Sequence, residues 1–260
     1  MKKFIALVSC LLLAFSLTAC QKGQQQDPKQ IYAAAVEKNA VLNSMETDMT
    51  INMGIDLGGT SMNMKLDGKI MEVRKDDDYQ MLAEISMNML GQDISSKQYY
   101  KDGICYVDTM GQKMQYPMEI DDVMEQLGSS DEFFQIDADV FTKFDMAREG
   151  DNYVFTMEAD QDSLQDLMDT IMGSLSGMTG EGVMDIADLD MTAFQAKYVV
   201  NKDGYFTSMD MNMDYSMEVE GQQMSYTMEI NLTVPNPGQE ITIDFPDFSD
   251  FEEVDPSLIA

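Results

Sequence analysis

The chain has 260 residues, 47 of them acidic against 16 basic, for a formal charge of −31, and it contains no histidine or tryptophan. That charge excludes nucleic acid as a partner, because affinity for a phosphate backbone comes from clustered Lys and Arg; it also repels anionic lipid head groups, so any membrane attachment must be covalent or apolar. Without histidine the chain lacks the commonest metal ligand and the usual general base near neutral pH.

Met1, Lys2 and Lys3 make a positive start, and Phe4 to Phe15 an apolar run too short to span a bilayer comfortably. The next residues, Leu17-Thr18-Ala19-Cys20, resemble the bacterial lipobox, Leu-x-[Ala/Gly]-Cys. The resemblance implies a lipoprotein signal peptide over 1–19, cleavage before Cys20 and diacylglyceryl transfer to the Cys20 thiol. Two acyl chains on one residue hold a protein on a bilayer where one is marginal. The expected address is therefore the cell membrane, with the protein lipid-anchored on its extracytoplasmic face. Cys10 is lost with the signal peptide and Cys20 carries lipid, which leaves Cys105 alone and no intrachain disulfide. Residues 20–27 read as a polar, lipidated tether.

Asp27-Pro28 signals a helix start, with Asp as cap and Pro at the first helical position. The helix is predicted to run to about Asn43, with Ile31, Ala34, Ala35 and Leu42 as its apolar stripe. Residues 45–57 then alternate: Met45, Met49, Ile51, Met53, Ile55 and Leu57 on one side, acidic and polar residues on the other. Period two means strand, because successive side chains point to opposite faces. Gly58-Gly59 turns the chain into a partner carrying Met62, Met64, Leu66 and Ile70. Tyr79, Met81, Ala83, Ile85, Met87 and Met89 mark a third strand. Shorter strands end at Tyr99-Tyr100 and run over Ile104 to Val107, and Pro117 closes this half.

Between 118 and 127 the period changes. Ile120, Val123, Met124 and Leu127 have helical spacing. Residues 131–144 are aromatic-rich and read as helix or turn. Two short strands follow, near 144–147 and 153–158. Leu164, Leu167, Met168, Ile171 and Leu175 define a second amphipathic helix, and 173–182 a Gly-rich loop. From about Met191 the chain reads as strands: Thr192 to Val200, then a long hairpin. Its first arm carries Met209, Met211, Met213, Tyr215 and Met217, and its second Met224, Tyr226, Met228, Ile230 and Leu232. Ile241, Ile243 and Phe245 suggest a last strand. After Pro246 the acidic tail, 247–260, is expected to fray.

These strands share one soft apolar face rich in the chain's 27 methionines. Met is unbranched and polarizable, suited to irregular cores and to surfaces that accept varied ligands. The lipobox, short tether, N-terminal helix, long amphipathic strands and mid-chain helices together resemble the LolA/LolB and LppX/LprG superfamily of lipoproteins, and Gram-positive lipoproteins near that group. The resemblance covers residues 28–246 and implies an α+β, mostly β fold: a curved antiparallel sheet, an unclosed barrel, with helices covering its concave face. It implies a hollow that holds lipid acyl chains or lipoproteins. No site residue carries over except Cys20.

Three functions are compared. The first is a carrier of a lipid or other apolar ligand, lined by Met49, Met53, Met62, Met64, Met81, Met87, Met209, Met211, Met213, Met224, Tyr226 and Met228. The bland counterpart is a filled Met core. The second is a thioether Cu(I) site on Met62/Met64, Met87/Met89 or Met209/Met211/Met213, spacings that any Met-rich strand face also produces. The third is a lipid-anchored interaction or sensor module without a small ligand. No cofactor is expected, and nothing points to an enzyme: a Ser-His or Cys-His arrangement is unavailable, and the glycines at 173–182 lack the Lys and helix of a phosphate loop.

Overall fold

The computed structural model describes residues 27–56, 58–75, 78–89, 92–120, 122–123, 134, 136–159, 190–219 and 222–255. The expected signal peptide, Cys20 and the expected tether through residue 26 lie outside the described residues, as do the predicted helix at 160–175 and the loop at 173–182.

Among the described residues the chain forms one sheet of twelve strands. They are β1 (Ser44–Asp56), β2 (Ser61–Lys75), β3 (Asp78–Met89), β4 (Gln92–Lys101), β5 (Ile104–Thr109), β6 (Gln112–Pro117), β7 (Lys143–Glu149), β8 (Asn152–Glu158), β9 (Asp190–Val200), β10 (Phe206–Val219), β11 (Gln222–Thr233) and β12 (Glu252–Glu253). The order across the sheet is β12-β6-β5-β4-β3-β2-β1-β11-β10-β9-β8-β7. Every pairing is antiparallel except β12 on β6. The sheet is curved and unclosed, as the α+β half-barrel expectation required.

Alternation explains most of this. In β10 and β11 the even-spaced Met, Tyr, Ile and Leu side chains turn inward and carboxylates turn out, so a one-residue slip would bury charge. Hairpins then form between neighbours in sequence. The β1–β11 pairing, with Ile51 across from Ile230, joins the two halves of the chain into one surface.

The helix α1 (Pro28–Asn39) lies over the inner face of β7 to β10. The Asp27 carboxylate caps it, accepting from the Lys29 amide at 3.1 Å. It ends at Asn39, earlier than its sequence suggests; of the expected stripe Ala35 is buried and Ile31 partly so, while Tyr32 and Asn39, outside that stripe, are the other buried residues. Tyr32 decides the docking. Its ring meets Phe144, Phe155, Tyr198 and Phe206 edge-on at centroid distances of 5.5 to 5.7 Å. Asn39 pins the far end: Nδ2 donates to the Ala35 and Gly204 carbonyls at 2.7 and 3.3 Å, and Oδ1 accepts from the Phe206 amide at 3.3 Å.

Phe134, Ile136, Ala138 and Phe141 cover the same face beside α1. Phe134 stacks on Phe206 and Phe141 on Phe194, at 5.1 and 5.9 Å. Within 118–127, Ile120, Asp122 and Val123 are helical, and Val123 is buried.

Three local expectations are corrected. The sequence reading stopped β5 at Val107 and passed over β6, whose inward residues Met114 and Tyr116 are too few to make a visible period. Ile241 to Phe245 are not a strand: Pro235 and Pro237 lack amide hydrogens, and the chain leaves the sheet after β11. The acidic tail does not fray over 247–255. It crosses to the outer face of β4 to β6 and ends on β12, where Phe248 stacks on Tyr106 at 3.7 Å. Burying those rings outweighs the tail's polar composition.

Candidate functional site: the inner face of the sheet

The backbone register places Met64, Met53, Met228 and Met213 directly across from one another on β2, β1, β11 and β10. Directly opposed residues bring their Cβ atoms to about 5 Å, so these four thioether chains form one row across the middle of the sheet. A parallel row runs Met87, Leu66, Ile51, Ile230 and Met211.

Burial changes along this face. On β1, β10 and β11, Met49, Met53, Met209, Met211, Met213 and Met228 are all buried within one cluster with Tyr198, Phe155 and Leu232. At the β2–β3 end of the same rows Met64 and Met87 are only half-buried, as are Met62, Met224, Tyr226 and Ile55 toward the hairpin turns, and Ile94 on β4. Met81 belongs to a second buried cluster, with Tyr79, Ala83, Tyr100, Cys105 and Tyr116. Six of the twelve candidate lining residues therefore sit in a packed core. Five line a softer, more accessible end.

The seam between the clusters is polar. Glu72 points inward from β2 and is only 4% exposed. The Tyr79 hydroxyl donates to its Oε1 at 2.8 Å, and Arg74 lies 3.8 Å from the same oxygen. Two residues along β1 from the Glu72 partner Met45, Thr47 is buried with its hydroxyl unpaired. Sequence reading missed both. The only signal was a carboxylate two positions beyond Ile70, in phase with the apolar residues.

The apolar setting governs the titratable groups. Burial raises the Tyr32 and Tyr198 phenols well above the ordinary tyrosine value, each beside the other's hydroxyl. Burial likewise raises Tyr215, whose hydroxyl donates to Met213 Sδ at 3.0 Å, and Tyr116. The Cys105 thiol is also pushed up by burial and accepts from Gln98 Nε2 at 3.1 Å. It is a packed thiol rather than an activated one. No group of three or more His, Cys, Asp or Glu able to hold a metal occurs among the described residues. Met209, Met211 and Met213 face apolar neighbours in the core.

Over β1 and β2 the outer face is charged, with Lys69 on Glu46 at 2.6 Å and Lys65 on Asp67 at 2.8 Å. An apolar, Met-lined concave face and a largely polar convex one define an open β half-barrel with a helix across its inner face. The chain belongs to the family of unknown function DUF6612, whose model matches residues 27–247. No curated protein matches it. Among solved structures it is similar to LprF from Mycobacterium bovis, with 12% identity, a TM-score of 0.45, and 84% of this chain and 96% of that one covered. It is similar also to the lipoprotein LppX from Mycobacterium tuberculosis, with 11% identity, a TM-score of 0.41, and 84% and 98% covered.

Proposed function

We propose that this protein is a non-catalytic lipoprotein, held on the extracytoplasmic face of the cell membrane through Cys20, that binds an apolar, lipid-like ligand at the half-buried end of its inner face. The observation that carries the proposal is the change in burial along one Met-lined surface. Packing is complete around Met209 and Met211, and incomplete around Met62, Met64, Met87, Met224 and Tyr226. Flexible thioether chains adapt to acyl chains of varied shape, and ligand sites are concave, mostly apolar surfaces with few polar groups. The lipobox at Leu17–Cys20 supports the location.

The test is a lipid extract of the full-length protein purified from membranes, read by mass spectrometry. A lipid species in near-stoichiometric amount is expected from the native chain and not from a Met64→Asp/Met224→Asp chain. Background lipid alone from both would remove the carrier reading. The closed packing of Met49, Met209, Met211 and Met213 favours the second reading, a lipid-anchored surface interaction or sensor module with a filled core.

A further inference from the structure

A groove of about 320 Å³ opens between α1 and the end of the sheet where β9 turns into β10. It lies far from the half-buried methionines of the hairpin turns. Val200, Lys202 and Gly204 sit beside Phe206, the first residue of β10, whereas Met217 and Met224 face each other near that strand's other end. The walls are apolar: Ile31, Ala34 and Ala35 from α1, Tyr153 from β8 and Val200 from β9. The rim is cationic, and two of its cations are not spent on carboxylates, as Lys65, Lys69, Lys97 and Lys143 are elsewhere on the described surface. Lys38 Nζ donates to the Asp203 carbonyl and stands 4.0 Å from the Tyr205 ring centroid. Its stem lies across Gly204, where a Cβ would stand 3.3 Å from Lys38 Cδ. Arg148, exposed on β7, lies over the Tyr153 wall at 4.5 Å from the ring centroid. Among the described residues neither Lys38 nor Arg148 makes an ion pair. Lys202 is the third cation, paired with its neighbour Asp203 at 2.9 Å.

We infer that this groove is a second binding site, which takes a single-chain amphiphile with one negative charge, a fatty carboxylate, Lys38 and Arg148 holding its head and the walls of α1, Tyr153 and Val200 holding its chain. An ammonium has three donors. Lys38 uses one on a carbonyl, so two remain for a head group. A guanidinium is a planar fork that fits a carboxylate, and that of Arg148 meets only a ring face. The local charge sets the head. Lys38, Lys202 and Arg148 stand against Asp203 and Asp151, the carboxylates that act on Lys202, which leaves one net positive charge. In a chain of formal charge −31 this reverses the general sign of the surface, and it suits one negative charge rather than two. The volume sets the chain: ligand pockets begin at about 300 Å³, so the groove has room for one acyl chain and not for two. Gln30 and Ala34 are exposed and leave it open to water. Its occupant therefore exchanges and is lost on purification, and the site is read at equilibrium, independently of any lipid retained by the methionines.

Laurate labelled with carbon-13 at its carboxyl is titrated into the full-length chain in non-ionic detergent, and the carboxyl resonance is followed by NMR. A bound resonance is expected, distinct from the micellar one and saturating at one per chain. Monolauroylglycerol, the neutral analogue, should not displace it. Lys38→Glu should weaken laurate binding at least tenfold and Arg148→Glu several-fold, while Lys38→Arg should stay within about twofold of the native chain. Met64→Asp/Met224→Asp, which lies outside the groove, should leave laurate binding unchanged, so that this site and the Met-lined one fail separately. No saturable resonance, displacement by monolauroylglycerol, or indifference to both charge reversals would overturn the inference. Tighter binding of dodecyl phosphate than of laurate would overturn the assignment to a singly charged head. Circular dichroism checks that Lys38→Glu is folded. Should it not be, Arg148→Glu decides alone, because Arg148 is exposed and makes no hydrogen bond among the described residues.

Discussion

Met49 on β1 and Gly68 on β2 face each other directly, and a Cβ at Gly68 would stand 3.0 Å from the Met49 methyl. The long thioether chain bends into space that the glycine leaves open. A strand glycine normally weakens a sheet; here its missing side chain is part of the packing of the inner face.

Met49→Ala is therefore expected to cost about 2–5 kcal/mol, the range for emptying a buried aliphatic site. Gly68→Val should also destabilise, by about 1–3 kcal/mol, because overpacking forces neighbours off their rotamers. Urea unfolding of the two single variants checks both. In the Met49→Ala/Gly68→Val chain the losses should be less than additive, since valine refills the space.

Met64→Asp and Met224→Asp should abolish lipid recovery with a modest loss of stability, because both side chains are half-buried. Met211→Asp, at a position 1% exposed, should prevent folding. Lipid mass spectrometry and circular dichroism on the same preparations separate the two effects.

Asn39→Ala removes the acceptor of the Phe206 amide and the donor to the Gly204 carbonyl. A loss of about 1–3 kcal/mol is expected, the cost of leaving a buried polar group unpaired. Hydrogen exchange at the Phe206 amide should accelerate before that of β3 or β4 amides, because α1 is released first.

Stability should fall in alkali. Tyr32, Tyr198, Tyr116 and Tyr215 all have raised phenol values in the fold, burial being the main cause. The unfolded chain loses these protons from about pH 10 while the folded chain keeps them. The contribution is thus complete below about pH 10 and is lost as pH rises through the raised values, by up to about 1.4 kcal/mol per pH unit for each phenol. Urea midpoints measured from pH 8 to 11 should show the decline, and Tyr198→Phe should reduce its slope.

Cys20→Ser should move the protein from the membrane to the soluble extracytoplasmic fraction. Retention of the variant on membranes in cell fractionation would argue against the lipid anchor.

The hairpins were legible because both arms lie close in sequence and each carries its own period-two pattern. Residues 206–233 announce β10 and β11 almost to the residue and 44–56 do the same for β1, whereas β2 runs on to Lys75, past Ile70, where its legible alternation ends. The twelve candidate lining residues were legible as members of one face, but not as core or rim. Met211 and Met64 have the same chemistry and similar neighbours in sequence. In the folded chain the first is buried in the cluster that also holds Tyr32, Phe134 and Phe141, while the second only packs against that cluster half-buried. Tyr32 escaped notice because an aromatic between a Gln-Ile pair and three alanines makes no stripe, although it is the residue on which α1 docks.

By itself the sequence determined the sign and scale of the charge, the antiparallel hairpins and which side of each strand is apolar. Those features are local: they depend on residue identity, or on alternation over a few positions. The tertiary structure decided the β1–β11 junction, the packing of Tyr32 and Asn39, the inward carboxylate of Glu72 and the docking of Phe248 on Tyr106. Each joins residues far apart in the chain, or sets one of several apolar contacts against another. Such contacts gain their energy only when the whole sheet is assembled and the competing placements have been excluded by packing.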